Sequence, residues 1–275
     1  MATTKLDAGR AAARTGLRWS RIGETVLPAL TIVAFIAAWQ LLVDLRNIPP
    51  IYLPSPAAIA LALVQMTLDG SIVFNLAVTL LRIFVGFFIA AAAGIFLGVL
   101  MGMSRLAARV ADPWIAALYP LPKISLIPLF IIWLGTGETY KILISAISAF
   151  FPIVMSTYSG VRQVDRGLVK AAQDLGANRR QIQLKVVIPA AIPSIFSGLQ
   201  LGMGVAIILV VAAEMIGGSS RSGMGYLLIS SGQVMDTEKV FASLVVLALM
   251  GAAVIKLQQW IDAKVAPWAV GHGER

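Results

Sequence analysis

Cysteine is missing from the chain altogether, which removes disulfides, iron–sulfur clusters and thiol nucleophiles. Histidine occurs once, at His272, so no histidine-based metal cage can be assembled. Charge is scarce too: 13% of residues are Asp, Glu, Lys or Arg, where soluble domains carry about a quarter. No glycine is followed by lysine, so a GxxxxGK[ST] phosphate loop is absent and nucleotide hydrolysis by such a loop is excluded. Nor is any polar stretch long enough to be a soluble domain. What the 275 residues do hold is apolar surface: 59% are hydrophobic and the mean hydropathy is +0.87. So much apolar surface calls for a lipid bilayer as its solvent.

Twenty-two Lys and Arg against thirteen Asp and Glu give a net charge of +9. The basic residues sit in short segments between apolar runs, without the aromatic-and-basic pattern of a nucleic-acid groove, so no nucleic-acid partner is expected. Residues 1–24 form a basic N-terminal segment, 25–261 a transmembrane domain and 262–275 a tail. An uncleaved first span is predicted over Thr25–Val43, and prolines 49, 50, 54 and 56 lead into a short amphipathic helix over Ala57–Leu68. A second span is expected over Ile83–Ser104, where Gly94, Gly98 and Gly102 at four-residue spacing invite close approach of another helix. Asp112–Leu134, interrupted by Pro113, Pro120, Pro122, Lys123 and Pro128, reads as a broken third span. Lys141 stands at the edge of a fourth, Ile142–Tyr158. Pro189–Ile216 and Val240–Ile261 make the fifth and sixth, joined by an outer connector over Gly217–Lys239. The fold expected is an all-α membrane bundle of about six spans.

Orientation follows from the basic residues. With the N-terminus inside, the inner segments hold five N-terminal Lys and Arg, then Arg105 and Arg109, then six more between Arg162 and Lys185, and Lys264. The outer connectors hold Arg46, Arg221 and Lys239. The excess places both termini in the cytoplasm. Trp39, Trp133 and Trp260 read as interfacial or packing aromatics, and the methionines as packing.

The inner loop 162–188 carries the most structured signal. Leu168, Ala171, Ala172 and Leu175 fall at i, i+3, i+4 and i+7, an apolar stripe on a short helix that also bears Lys170 and Asp174. Gly176, followed by Ala177, suits a left-handed stop, and Asn178 with Gln181 suits a capping box for a second short helix running to Pro189. The result is a helix–Gly–helix knob, open on generic grounds to two readings: a loop resting on headgroups, or a lever moved by a partner.

This knob resembles the EAA loop of permease subunits in binding-protein-dependent ATP-binding-cassette importers. Ala171, Ala172, Gly176, Ala177, Pro189 and Pro193 stand at the pattern's positions, and Lys170 replaces its usual Glu. The likeness extends from about Leu53 to Trp260. Leu53-Pro54-Ser55-Pro56, Gly98-Val99-Leu100-Met101-Gly102, Pro120-Leu121-Pro122, Phe150-Phe151-Pro152-Ile153, and Glu214 with Gly223-Met224-Gly225-Tyr226 resemble the nitrate/sulfonate/taurine-type subgroup. The resemblance implies a type I importer permease in a bacterial inner membrane, working as a homodimer. It implies ATPase subunits docked on the 168–177 helix, with ATP bound by those subunits, no cofactor on this chain, and a soluble binding protein delivering a small anion.

Three charges fall at or within apolar runs: Arg82, Lys123 and Glu214. Each either lines an anion's path or is satisfied structurally, Arg82 and Lys123 by a carboxylate such as Glu214 or by reaching the headgroups. An ion-coupled transporter or channel is the main rival to the importer, and Glu214 with the broken third span would have to serve it. An intramembrane enzyme lacks a visible catalytic pair.

Overall fold

A computed structural model describes residues 27–216 and 222–265. Among them the regular structure is helical, without strands. Helix α1 is Leu27–Arg46. It is followed by α2 (Pro56–Leu68), α3 (Ser71–Met103), α4 (Arg105–Leu118), α5 (Ile127–Leu134) and α6 (Glu138–Arg162). Next come α7 (Arg166–Asp174), α8 (Arg179–Ile182), α9 (Ile188–Ile216), α10 (Met224–Gln233) and α11 (Thr237–Val265). Five helical runs are long and apolar enough to cross a membrane, and the bent pair α4 and α5 makes a sixth. The expected basic N-terminal segment and most of the expected tail lie outside the described residues.

At the centre stand α3, α6 and α9. Glycine lets them touch almost backbone to backbone. A Cβ added at Gly94 would come within 2.9 Å of Ile153, one at Gly98 within 2.6 Å of Thr157, and one at Gly102 would collide with Val161. Residue numbers rise together along this seam, so α3 and α6 run parallel. The small-residue stripe expected of the second span is therefore its contact face. On the adjoining flank of α6 the order reverses: Gly198 meets Ser156, and Gly202 meets Ile153. Helix α9 thus lies antiparallel to α6. Ile83, Phe87, Ala149, Ile153, Met203, Ala206 and Met250 fill the space between these helices and α11.

Several boundaries differ from the sequence expectations. Helix α3 begins at Ser71, not Ile83, because its polar first turns face protein rather than lipid. Lys141 stands in the first turn of α6, at the edge of the fourth span as expected, and is fully buried there. Helix α2 is not amphipathic: Ile59, Ala62 and Met66 are buried while Leu61, Val64 and Leu68 are exposed, so apolar residues surround it. It packs with Ile72 and Ala242, beside Trp39 and Phe241, whose ring centroids lie 5.9 Å apart. Helix α10 occupies a stretch expected to be connector.

The broken third span takes the form of α4 and the Lys123–Leu134 run meeting at 85°. Pro120 and Pro122 in the break withhold the N–H groups that would continue the helix. No second short helix ends at Pro189. Arg179–Ile216 is instead one continuous helical run of 38 residues, containing a wide π-type turn over Gln183–Val187. Pro189 lacks the N–H that would return to the Lys185 carbonyl, so the wider hydrogen-bonding pattern falls where the α pattern is already broken.

Candidate functional site

Two places gather the candidate residues, one at each end of α6. At its C-terminal end lies the knob. Asp165 caps α7 by accepting a 2.7 Å hydrogen bond from the Gly167 N–H. The helix stops at Gly176, whose φ of +81° is left-handed, and the Ala177 N–H reaches back 3.0 Å to the Ala172 carbonyl. Asn178 and Gln181 then exchange side-chain-to-backbone bonds of 2.9 and 2.8 Å, a complete capping box that starts α8.

The knob does not bury its own apolar stripe. No residue of α7 is buried: Leu168 is 53% exposed and, just past the helix, Leu175 is 89% exposed. Lys170, Ala171, Asp174 and Gly176 are exposed, while Ala172 and Ala177 are half-buried. Beneath the knob, Val169, Gln173 and Ala177 face Met103, Ile182 and Val187 across a cavity of about 440 Å³. A short amphipathic helix joined to the next through a left-handed glycine thus leaves its apolar stripe uncovered by the rest of the described residues.

At the N-terminal end of α6, Arg82 is completely buried and fully engaged. Its Nε and Nη2 donate to the Glu138 carboxylate at 2.5 and 2.7 Å, its Nη1 to Glu214 at 2.5 Å, and both Nη groups to Ser222 at 3.0 Å. The Thr79 hydroxyl donates to Glu214 at 2.9 Å, and the Gly225 N–H donates to the same carboxylate at 2.9 Å. Thr79 accepts from the Met224 N–H, and Asn75 from the Gly223 N–H. The first N–H groups of α10 thus close on side chains of α3 and α9, an anion-favouring helix terminus occupied by the protein's own carboxylate. Gly223 must be glycine here: its φ is +104°, and a Cβ would strike the Glu214 carboxylate. Nearby, the Tyr140 hydroxyl donates to the Ala213 carbonyl at 2.9 Å, a further tie between α6 and α9.

Arg82 and Glu214, two of the three charges singled out in the sequence, therefore meet each other. Lys123 does not join them. It sits at the bend of the third span, where its ammonium donates to the Tyr119 carbonyl and lies 5.1 and 5.0 Å from the ring centroids of Tyr119 and Phe151. It borders a cavity of about 440 Å³ whose other walls, including Ile89, Leu121, Ala146 and Phe150, are apolar. Glu138, Asn75, Thr79 and Ser222 had not been singled out. Asn75, Thr79 and Arg82 share one face of α3 at spacings of four and three, a polar stripe in an apolar run that marks a buried network. Of the outer connector expected over Gly217–Lys239, residues 217–221 lie outside the described residues.

With the geometry in place, comparison with known proteins becomes informative. Residues 92–267 match the family of binding-protein-dependent transport system inner membrane components. The chain belongs to this family. It is a permease, as the likeness of the knob to the EAA loop implied. A putative aliphatic sulfonates transport permease of Bacillus subtilis strain 168 is 34% identical over 251 residues, covering 91% of this chain and 89% of that protein. The taurine transport system permease of Escherichia coli K12 is 33% identical, covering 94% of each. A putative ABC transporter permease of Methanocaldococcus jannaschii is 38% identical over 246 residues, covering 88% of this chain and 90% of that protein. In fold, the permease is similar to an inward-facing structure of the MetNI methionine ABC transporter, with a TM-score of 0.60 at 21% identity over 74% of this chain and 98% of that one. An amino acid ABC transporter gives a TM-score of 0.58 at 20% identity, covering 74% and 97%.

Proposed function

We propose that this permease carries a small organic sulfonate or a similar anion across a bacterial inner membrane, paired with a second copy and with both termini in the cytoplasm. A soluble binding protein delivers the solute, and separate ATPase subunits supply the energy through the α7–α8 knob. The observation that carries this reading is the uncovered knob, an apolar-striped helix joined through a left-handed glycine to a 38-residue membrane helix. Force applied to α7 passes to the end of α6 on one side and to the start of the Arg179–Ile216 run on the other. ATP binding then biases a two-state bundle from a distance. The substrate class rests on the sulfonate and taurine permeases among the relatives. The ion-coupled rival loses its best carboxylate, since Glu214 is committed to Arg82, Thr79 and Gly225.

The test is ATP hydrolysis by the permease co-expressed with its ATPase and supplied with its binding protein in proteoliposomes. Proline at position 176 cannot adopt the positive φ, so Gly176→Pro breaks the joint without touching the spans. Loss of ATPase capture and of stimulated hydrolysis from a folded permease is expected. Unchanged capture and stimulation would sink the coupling role.

A further inference from the structure

A third region lies beside the knob but belongs neither to it nor to the Arg82 network. Where α3 ends, Ser104 caps α4 by accepting from the Ala107 N–H, and the chain turns back on itself. Between the ends of α3 and α6 and the start of α4 lies a cavity of about 430 Å³. Three guanidinium groups border it, those of Arg105 and Arg109 from α4 and Arg162 from α6, with one carboxylate, Asp112. The Tyr158 hydroxyl also borders it, accepting a 2.8 Å hydrogen bond from Arg162. Among the described residues neither Arg105 nor Arg109 has a carboxylate within ion-pair distance, although Asp112 is on the same face of α4. A net positive cavity with two uncompensated guanidinium groups is complementary to an oxyanion.

The rest of α4 indicates what carries that oxyanion. Ala108 and Ile115 are buried against the bundle. Leu106, Val110 and Trp114, at i, i+4 and i+8, are 73%, 61% and 69% exposed. An exposed apolar stripe thus leads away from the basic residues along the first half of the broken span, where acyl chains would lie. The level is also right, because the parallel helices α3 and α6 end here together, at Met103 and Arg162. A small free anion would use the arginines but has no use for the stripe.

We infer that this cavity binds the phosphate headgroup of an anionic phospholipid, with the acyl chains lying along Leu106, Val110 and Trp114. The site is distinct from the Arg82 network and from the Lys123 cavity, and the inference stands whichever solute the permease carries. Through Arg162, three residues before the Asp165 cap, the lipid ties the end of α6 to α4.

The experiment uses the full-length permease assembled with its ATPase subunits in nanodiscs, with labelled phosphatidylglycerol competing against phosphatidylcholine. Each guanidinium–phosphate contact is a charge-assisted hydrogen bond worth about 1.5 kcal/mol, so Arg105→Gln/Arg109→Gln lowers the preference for phosphatidylglycerol by about a hundred-fold. Lys256→Gln/Lys264→Gln removes equal charge at the same end of the bundle but outside both the cavity and the knob, and leaves the preference within about three-fold. Equal losses in the two pairs would overturn the site, reducing it to general surface charge. Displacement of the lipid by millimolar phosphate or methanesulfonate would overturn the lipid assignment in favour of a free-anion site. Should the first pair fail to assemble, Arg105→Lys/Arg109→Lys and the wild-type competition decide. No wild-type preference for phosphatidylglycerol over phosphatidylcholine would end the proposal.

Discussion

The two ends of α6 are held in opposite ways. At the end near Glu138, α6, α9 and the turn before α10 converge on one guanidinium of α3, and Arg82, Thr79 and Glu214 have lost nearly all contact with solvent. At the end near Arg162, α7 buries no residue and hangs from a glycine joint over a cavity. The first region is complete within one chain; the second lacks its counterpart. An importer needs both, since a bundle that switches as a unit requires a rigid place to pivot about and a loose place to be gripped.

The largest effect should come from breaking the complete end. Arg82→Leu leaves the Glu214 carboxylate buried without its cation, and removing one partner of a buried pair costs about 3–5 kcal/mol. The expected result is loss of folded permease in detergent, read by size-exclusion and thermal unfolding. Arg82→Leu/Glu214→Leu removes both charges and should unfold less readily than Arg82→Leu alone. A double variant no better than the single would show that the cost is not uncompensated charge.

Next comes the α3–α6 seam. Gly98→Val forces a side chain into the space held by Thr157, and overpacking of this kind costs about 1–3 kcal/mol. Gly204→Ala, where nothing lies within 4 Å, should be neutral or gain up to about 1 kcal/mol of helix propensity. The pair of melting temperatures tests whether close approach, rather than glycine itself, matters at the seam.

At the loose end the readout should change in kind. Gly176→Ala puts a side chain into a left-handed conformation at a local cost of about 1–2 kcal/mol. Bundle unfolding should be unchanged while ATPase capture weakens several-fold. An equal drop in bundle stability would mean that the knob is more tightly integrated than its exposure suggests.

The smallest effect concerns a surface pair between α10 and α11. Partial burial pushes the Asp236 carboxyl up, but the Lys239 side chain and N–H outweigh it and hold it below the ordinary 3.8. A depressed folded-state value means that its stabilisation is present above pH about 3.8 and disappears as pH falls through the lower folded value. Because the pair is substantially exposed, the difference between wild type and Asp236→Asn should be slight, within the usual 0–1 kcal/mol. It should be measurable at pH 6 and shrink progressively as pH falls below about 3.8.

The same contrast governs what could be read before the structure. Local chemistry was legible: the Gly176 stop, the Asn178–Gln181 box, the proline break and the glycine stripe all act within a few residues, and the sequence shows each directly. Pairing at long range was not. Nothing in Asn75, Thr79 and Arg82 says that Ser222, Gly223 and Met224 will meet them some 140 residues later. Without those partners the polar turns looked unfit for a span, and the start of α3 was placed twelve residues late. The helix α10 escaped notice for the same reason, since its capping groups come from other helices.

The wide turn at Gln183–Val187 has a mechanical consequence. A π-type turn holds one residue more than an α-helical turn spanning the same contacts. It is slack in the shaft between the knob and the membrane. Each residue of an α-helix advances 1.5 Å and, at 3.6 per turn, rotates about 100°. Absorbing or releasing that single residue would swing α7 through roughly a quarter-turn about the axis of α9 while the part of α9 beyond Pro193 stayed still. On the proposed coupling role, that one extra residue would give the transmission a slip joint between the knob and the rest of α9.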